Sequence, residues 1–155
     1  MDIREIPAPR RDDALVDELL GVWERSVRAT HLFLTEPDVL AIREEVPAAL
    51  RGVERLAVAF EDETPDARAL AFLGVQDSHI EMLFCDAALR GKGIGGALLA
   101  LATGEWGART LDVNEQNPRA VGFYLAKGFT VAGRSELDDA GRPFPLLHLA
   151  FQPKA

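Results

Sequence analysis

The stretch from Glu81 to Leu99 constrains this chain most. An apolar run ends at Cys85, a short turn passes through Arg90, and glycines at Gly91, Gly93, Gly95 and Gly96 lead into an alanine- and leucine-rich segment. The pattern reads as strand, glycine loop and helix start. Glycines there let backbone N–H groups converge without side-chain obstruction, and a helix N-terminus adds partial positive charge, so the local chemistry favours a phosphate or pyrophosphate.

At 155 residues the chain has room for one domain, and its 48% apolar and 27% charged content is that of a folded protein rather than a disordered one. No apolar run reaches the roughly eighteen residues of a membrane span, and the opening Met-Asp-Ile-Arg-Glu-Ile lacks the apolar core of a signal peptide. One cysteine excludes an internal disulfide and fits the reducing cytoplasm. A net charge of −8 with scattered basic residues disfavours nucleic acid and anionic membranes and tilts toward a cationic partner such as an amine.

Hydrophobic periodicity and turn residues set out the elements. Ile3 to Ile6 reads as a short strand ended by Pro7 and Pro9. Asp12 or Asp13 caps a helix reaching about Thr30, with Leu15, Val16, Leu19, Leu20, Trp23 and Val27 on one face. Pro37 opens a second helix with Val39, Ile42, Val46 and Leu50 inward, and Pro47 predicts a kink or an early end. Leu56 to Phe60 and Ala67 to Val75 read as antiparallel strands across a polar turn. His79 to Cys85 is the next strand; strict alternation places His79, Glu81, Leu83 and Cys85 on one face and Ile80, Met82 and Phe84 on the other.

After the glycine loop a helix runs to about Trp106, with Gly107 as its cap. Thr110 to Val113 is a strand, and Asn117 before Pro118 starts a helix that Gly128 stops. Phe129 to Leu137 and Phe144 to Phe151 form a hairpin around Asp138-Asp139-Ala140-Gly141-Arg142. The order predicts an α/β (α+β) fold, a mixed, mostly antiparallel central sheet of about seven strands flanked by four helices.

Two motifs compete for the loop. Gly91-Lys92-Gly93-Ile94-Gly95-Gly96 spells G-x-G-x-x-G, with Asp112 near the place of a ribose-binding acid. In a dinucleotide fold, however, the glycines follow the strand directly within repeated βαβ units, whereas here Asp86 to Arg90 intervene and antiparallel strands surround the loop. No G-K-[S/T] is present for a P-loop. Arg90-Gly91-Lys92-Gly93-Ile94-Gly95 instead satisfies [Q/R]-x-x-G-x-[G/A], and Asn117-Pro118-Arg119-Ala120-Val121-Gly122-Phe123-Tyr124 with Gly128-Phe129 satisfies N-x-x-A-x-x-F-Y…G-F. Together these resemble the GCN5-related N-acetyltransferases (GNAT). The resemblance covers nearly the whole chain. Ala29-Thr30-His31, Val113 to Asn117 and the hairpin from Gly133 to Leu147 are similar to one bacterial branch, and Ala87 departs from the proline common in the family.

The resemblance implies a cytoplasmic acetyl-coenzyme A-dependent N-acetyltransferase acting on a small-molecule or peptide amine by direct attack in a ternary complex, without a metal, as a monomer or homodimer. The rival is a non-catalytic acyl-coenzyme A-binding module. By the same resemblance Arg90, Gly91, Lys92, Gly93, Ile94, Gly95 and Gly96 hold the pyrophosphate, backbone groups of Leu83, Phe84 and Cys85 pair with the pantetheine arm, Asn117 shapes the cofactor site, and Tyr124 faces the sulfur. Tyr124 near pKa ~10 is a weaker acid than a thiol near ~8.5, so hydrogen bonding to the thiolate is favoured over full proton transfer. Glu81 and His79 are candidate bases acting through water, each also readable as an ordinary strand residue. His31 and Phe33 are expected at the acceptor wall. Three scattered histidines and one cysteine have no metal-ligand spacing.

Overall fold

The computed structural model describes residues 1–89 and 91–153; Arg90, Lys154 and Ala155 lie outside it. Strands β1 (Asp2–Glu5), β2 (Arg55–Phe60), β3 (Ala69–Gln76), β4 (His79–Cys85), β5 (Thr110–Asn114), β6 (Phe129–Ser135) and β7 (Leu146–Phe151) form one sheet in the order β1-β2-β3-β4-β5-β7-β6. Every pairing is antiparallel except that of β4 with β5. Helices α1 (Asp13–Thr30) and α2 (Glu36–Gly52) cover one face, and α3 (Ile94–Gly104) and α4 (Pro118–Ala126) the other. No helix of the described residues is long and apolar enough to cross a membrane.

Local chemistry accounts for the helix limits. The Asp12 carboxylate accepts from the Leu15 N–H at 2.9 Å and starts α1. Thr35 and Asp38 form a reciprocal capping box at the start of α2. The early end allowed at Pro47 does not occur, and α2 continues through it to Gly52. An interior proline costs about 3 kcal/mol, yet Val39 and Val46 before it and Leu50 after it are all buried in one core with α1, and that shared burial keeps both sides of Pro47 in one helix. Two other limits move slightly: α3 ends at Gly104, and β6 and β7 stop short of the hairpin loop, whose backbone folds onto Asp138 through the Ala140 and Arg142 N–H groups at 3.0 and 2.7 Å.

Among the described residues Arg11 is the one buried cation. It is 6% exposed, and its guanidinium donates to the carbonyls of Ile6, Leu50, Arg51 and Val53 at 3.0, 3.1, 3.2 and 2.6 Å. The last carbonyls of a helix have no partner within the helix and carry partial negative charge, so a fixed cation there satisfies both needs. It also joins the end of β1 to the start of β2.

The feature that shapes the site is a β-bulge. Gly74 lies opposite Met82 but Val75 lies opposite Ile80, so Glu81 is an extra residue in β4. The alternation read from sequence therefore breaks at Glu81. Ile80 joins Leu83 and Cys85 in the core under α3, while Met82 and Phe84 pack under α1 and α2. His79 accordingly falls on the face opposite Leu83 and Cys85, where it meets Thr110. Immediately beyond the bulge β4 and β5 part: they are paired only at His79 with Thr110 and Ile80 with Leu111.

Arg11→Ala leaves four carbonyls around an apolar gap, and a loss of about 2–4 kcal/mol is expected. Urea denaturation reads it as a lower midpoint with an unchanged slope.

Candidate active site

Where β4 and β5 part, a cavity of about 750 Å³ opens through the sheet. Its walls are Glu81 to Cys85 of β4, Asp112 to Asn114 of β5, the glycine loop, Asn117 and Tyr124 of α4, and Ser26, Thr30 and His31 at the end of α1. Strand backbone, an N-terminal helix turn and one phenol thus converge from separate parts of the chain.

On the loop side, Gly91 and Gly93 have φ of +82° and +80°, and a Cβ on either would touch nothing within 4 Å. Backbone conformation rather than crowding therefore demands glycine. Gly93 is the N-cap of α3 and its carbonyl accepts the first helical bond from Ala97 at 3.0 Å, leaving the first-turn N–H groups without helical partners. Gly95 and Gly96 border the cavity, and Cβ atoms there would lie 3.7 Å from the Phe123 ring and 3.4 Å from the Lys127 ammonium. Ile94 is buried and Lys92 is exposed away from the cavity wall. Arg90, expected to anchor the pyrophosphate, lies outside the described residues.

The turn before the loop is tied down by Asp86, which sequence reading passed over. Its carboxylate accepts from Arg25 at 2.9 Å and from the Ala88 N–H at 3.3 Å, and its own N–H donates to Leu70 at 2.9 Å. Burial opposes its ionisation, but the Arg25 and Ala88 hydrogen bonds and the Arg25 charge outweigh that and hold the carboxyl below the usual range. The signal available was an acid directly after an apolar strand, indistinguishable in sequence from an ordinary turn residue.

Tyr124 is 9% exposed and packs edge-on to Phe123 and Phe129 at ring separations of 5.2 and 5.8 Å. Its hydroxyl makes no hydrogen bond to a described residue, and burial pushes the phenol above its ordinary pKa. It is a neutral donor at any physiological pH. Asn117 is buried and caps α4 by accepting from the Ala120 N–H at 3.4 Å.

On the opposite side His31 borders the cavity, with Nδ1 2.7 Å from the Thr30 hydroxyl; burial pushes its imidazole below the ordinary value. Phe33 lines an adjoining recess of about 470 Å³ that shares Thr30, Asn117 and Arg119 with the main cavity. The rings of His31, Phe33 and Phe144 follow one another at 5.5 Å. Trp23, by contrast, is a core residue between α1 and α2.

The two candidate bases on β4 separate. Glu81 is exposed on the bulge and borders the cavity. His79 does not border it: Nδ1 meets Thr110 at 2.7 Å and Nε2 meets Asp112 at 3.5 Å. Asp112 also binds His148 Nδ1 at 2.5 Å, and His148 Nε2 binds Ser135 at 2.6 Å. Asp112 was missed as a cavity residue, although its alternation with the apolar Leu111 and Val113 marks it as facing the other side of β5. No group of three His, Cys, Asp or Glu among the described residues is arranged to hold a metal.

Comparison with known proteins agrees with this geometry. The acetyltransferase (GNAT) domain profile matches residues 42–145. The chain is 39% identical over 135 residues to the peptidyl-lysine N-acetyltransferase YjaB of Escherichia coli, covering 87% of this chain and 89% of that protein, and 38% identical to YjaB of Salmonella typhimurium over 87% and 90%. The solution structure of apo-form Escherichia coli YjaB superposes with a TM-score of 0.81 at 36% identity, covering 99% of this chain and all, 100%, of that one. The PaiA N-acetyltransferase of Thermoplasma acidophilum in complex with coenzyme A shares the fold, with a TM-score of 0.70 at 19% identity over 99% and 100% of the two chains. With a family profile over most of its length and relatives this similar, the chain belongs to the GNAT acetyltransferase family.

Proposed function

We propose that this acetyltransferase moves the acetyl group of acetyl-coenzyme A to the ε-amine of a lysine presented by a peptide or protein, by direct attack in a ternary complex. The observation that carries the reading is the opening between β4 and β5, which brings Glu81, the glycine loop and Tyr124 to one cavity. The peptide acceptor is supported by the peptidyl-lysine activity named for the two YjaB relatives. The net charge of −8 and the exposed Glu81 at the cavity favour a cationic amine over an anionic partner. A single cysteine, with no internal disulfide to maintain, suits work in the cytoplasm.

In this reading the pyrophosphate binds the first-turn N–H groups of α3, and the pantetheine arm runs along Leu83 to Cys85, where β4 has lost β5 as a partner. The thioester then lies near the bulge, and a backbone N–H of β4 polarises its carbonyl. A lysine amine near ~10.4 costs roughly 4.6 kcal/mol to neutralise at pH 7, so the site needs a proton acceptor. Tyr124, kept neutral by burial, hydrogen-bonds the departing thiolate without giving up its proton. Asn117 holds the start of α4 so that Tyr124 reaches the sulfur.

Thiol release with acetyl-coenzyme A and a lysine peptide tests the function; tight coenzyme A binding with no turnover on any amine would favour the non-catalytic binding module. Tyr124→Phe keeps the ring packing and is expected to lower kcat about 10–100-fold with little change in KM for acetyl-coenzyme A. Unchanged turnover would refute the sulfur role. Gly93→Ala forces a Cβ into the left-handed region, at a cost of about 1–2 kcal/mol in stability, and weakens coenzyme A binding by calorimetry, whereas Gly93→Asn is expected to be milder on both counts.

A further inference from the structure

Glu81 and His79 are the bases that alternation along β4 suggests, but the histidine with an available ring nitrogen at the cavity is His31. We propose that His31 Nε2 takes the proton from the attacking amine, with Thr30 as the residue that positions and orients it. The proposal rests on the acetyl-transfer reading and adds to it a proton acceptor on the α1 side of the cavity.

The hydrogen-bond inventory determines the tautomer. The Thr30 hydroxyl has one proton and donates it to the Ser26 carbonyl at 2.8 Å. Toward His31 Nδ1, at 2.7 Å, the same oxygen can only accept, so Nδ1 carries the hydrogen and Nε2 the lone pair. Nε2 has no partner among the described residues, and no buried side-chain nitrogen or oxygen among them lacks one, so Nε2 is open rather than sealed in the core. The other two histidines differ: both ring nitrogens of His79 and of His148 are engaged, by Thr110 and Asp112 and by Asp112 and Ser135.

Burial keeps the His31 imidazole neutral at pH 7 and therefore able to accept. Of the charged and titratable groups around it, Glu81 of β4, Asp112 of β5, and Arg119 and Tyr124 of α4 share the cavity wall. Arg28, three residues before it on α1, is paired with Glu36 at 2.6 and 2.9 Å and with Glu24 at 2.9 Å. The lysine attacks as the neutral amine, its ammonium proton having passed to solvent, and as its nitrogen bonds to the acetyl carbon one of its two N–H groups becomes acidic. That N–H bond breaks as Nε2–H forms, the C–S bond breaks, and the electron pair stays on sulfur next to Tyr124. The imidazolium then returns its proton to solvent, and the thiolate takes one from solvent.

His31→Asn retains an amide N–H for Thr30 but has no proton acceptor. With acetyl-coenzyme A and a lysine peptide it is expected to lower kcat about 10–100-fold, leave KM for acetyl-coenzyme A within about twofold, and abolish the acid limb that His31 sets in the wild-type kcat profile below pH ~6.5. In the free protein, nitrogen NMR is expected to find His31 in the Nδ1–H form, titrating below an ordinary histidine, and Thr30→Val to release that tautomer preference. An unaltered acid limb in His31→Asn, its loss in Glu81→Gln instead, or an Nε2–H tautomer in the wild type would each overturn the proposal. The tautomer measurement needs no acceptor. Absence of wild-type turnover on any amine, with the tautomer as expected, would instead overturn the acetyl-transfer reading and the catalytic role with it.

Discussion

The parting of β4 from β5 is the constraint on which the rest of the site depends. A parallel pair within an otherwise antiparallel sheet is held by only two residue pairs, His79 with Thr110 and Ile80 with Leu111. The extra residue Glu81 stands where that pairing ends, and a bulge increases the local twist of its strand. Past that point, at Met82 to Phe84, β5 no longer lies paired along the edge of β4, and backbone groups on such an edge bind water or an extended ligand. A pantetheine arm, which carries amides along an extended chain, matches that requirement.

Two cores hold the opening at its width. Under α3, the small residues Ala57, Ala59 and Ala71 let the helix lie close to the sheet, so its N-terminus and the glycine loop stand over the end of β4. Under α1 and α2, Phe72, Met82 and Phe84 fill the other face and bring Thr30 and His31 to the far side of the same gap. Asp86, bonded to Arg25 of α1, locks the end of β4 to that second layer. In the proposed reading the donor side is built from backbone and glycine and the acceptor side from side chains, which would let the cofactor stay fixed while the acceptor varies within one architecture.

Much of this was legible in the chain because it is local. Asp12, Thr35, Asn117 and Gly93 mark helix starts by their own chemistry, and the glycine loop with the Asn117 to Tyr124 segment identified the family. What depends on pairing between distant residues was not legible. The bulge at Glu81 exists only in the register of β4 against β3, and nothing in His-Ile-Glu-Met-Leu-Phe-Cys announces it, so alternation placed His79 on the wrong face. The ties of His79 to Thr110 and Asp112, and of Asp112 to His148, likewise span three strands. Pro47 does not end α2 for the converse reason, since burial on both sides of it outweighs a local rule.

The account is tested most directly by amide hydrogen exchange with and without saturating acetyl-coenzyme A. It predicts that exchange slows in the segment 82–84 of β4 as well as in the loop and first turn at 91–97, with β1 and β2 unaffected, because the cofactor replaces the strand that β5 does not supply. Slowing confined to the loop, with 82–84 exchanging as in the free protein, would contradict it.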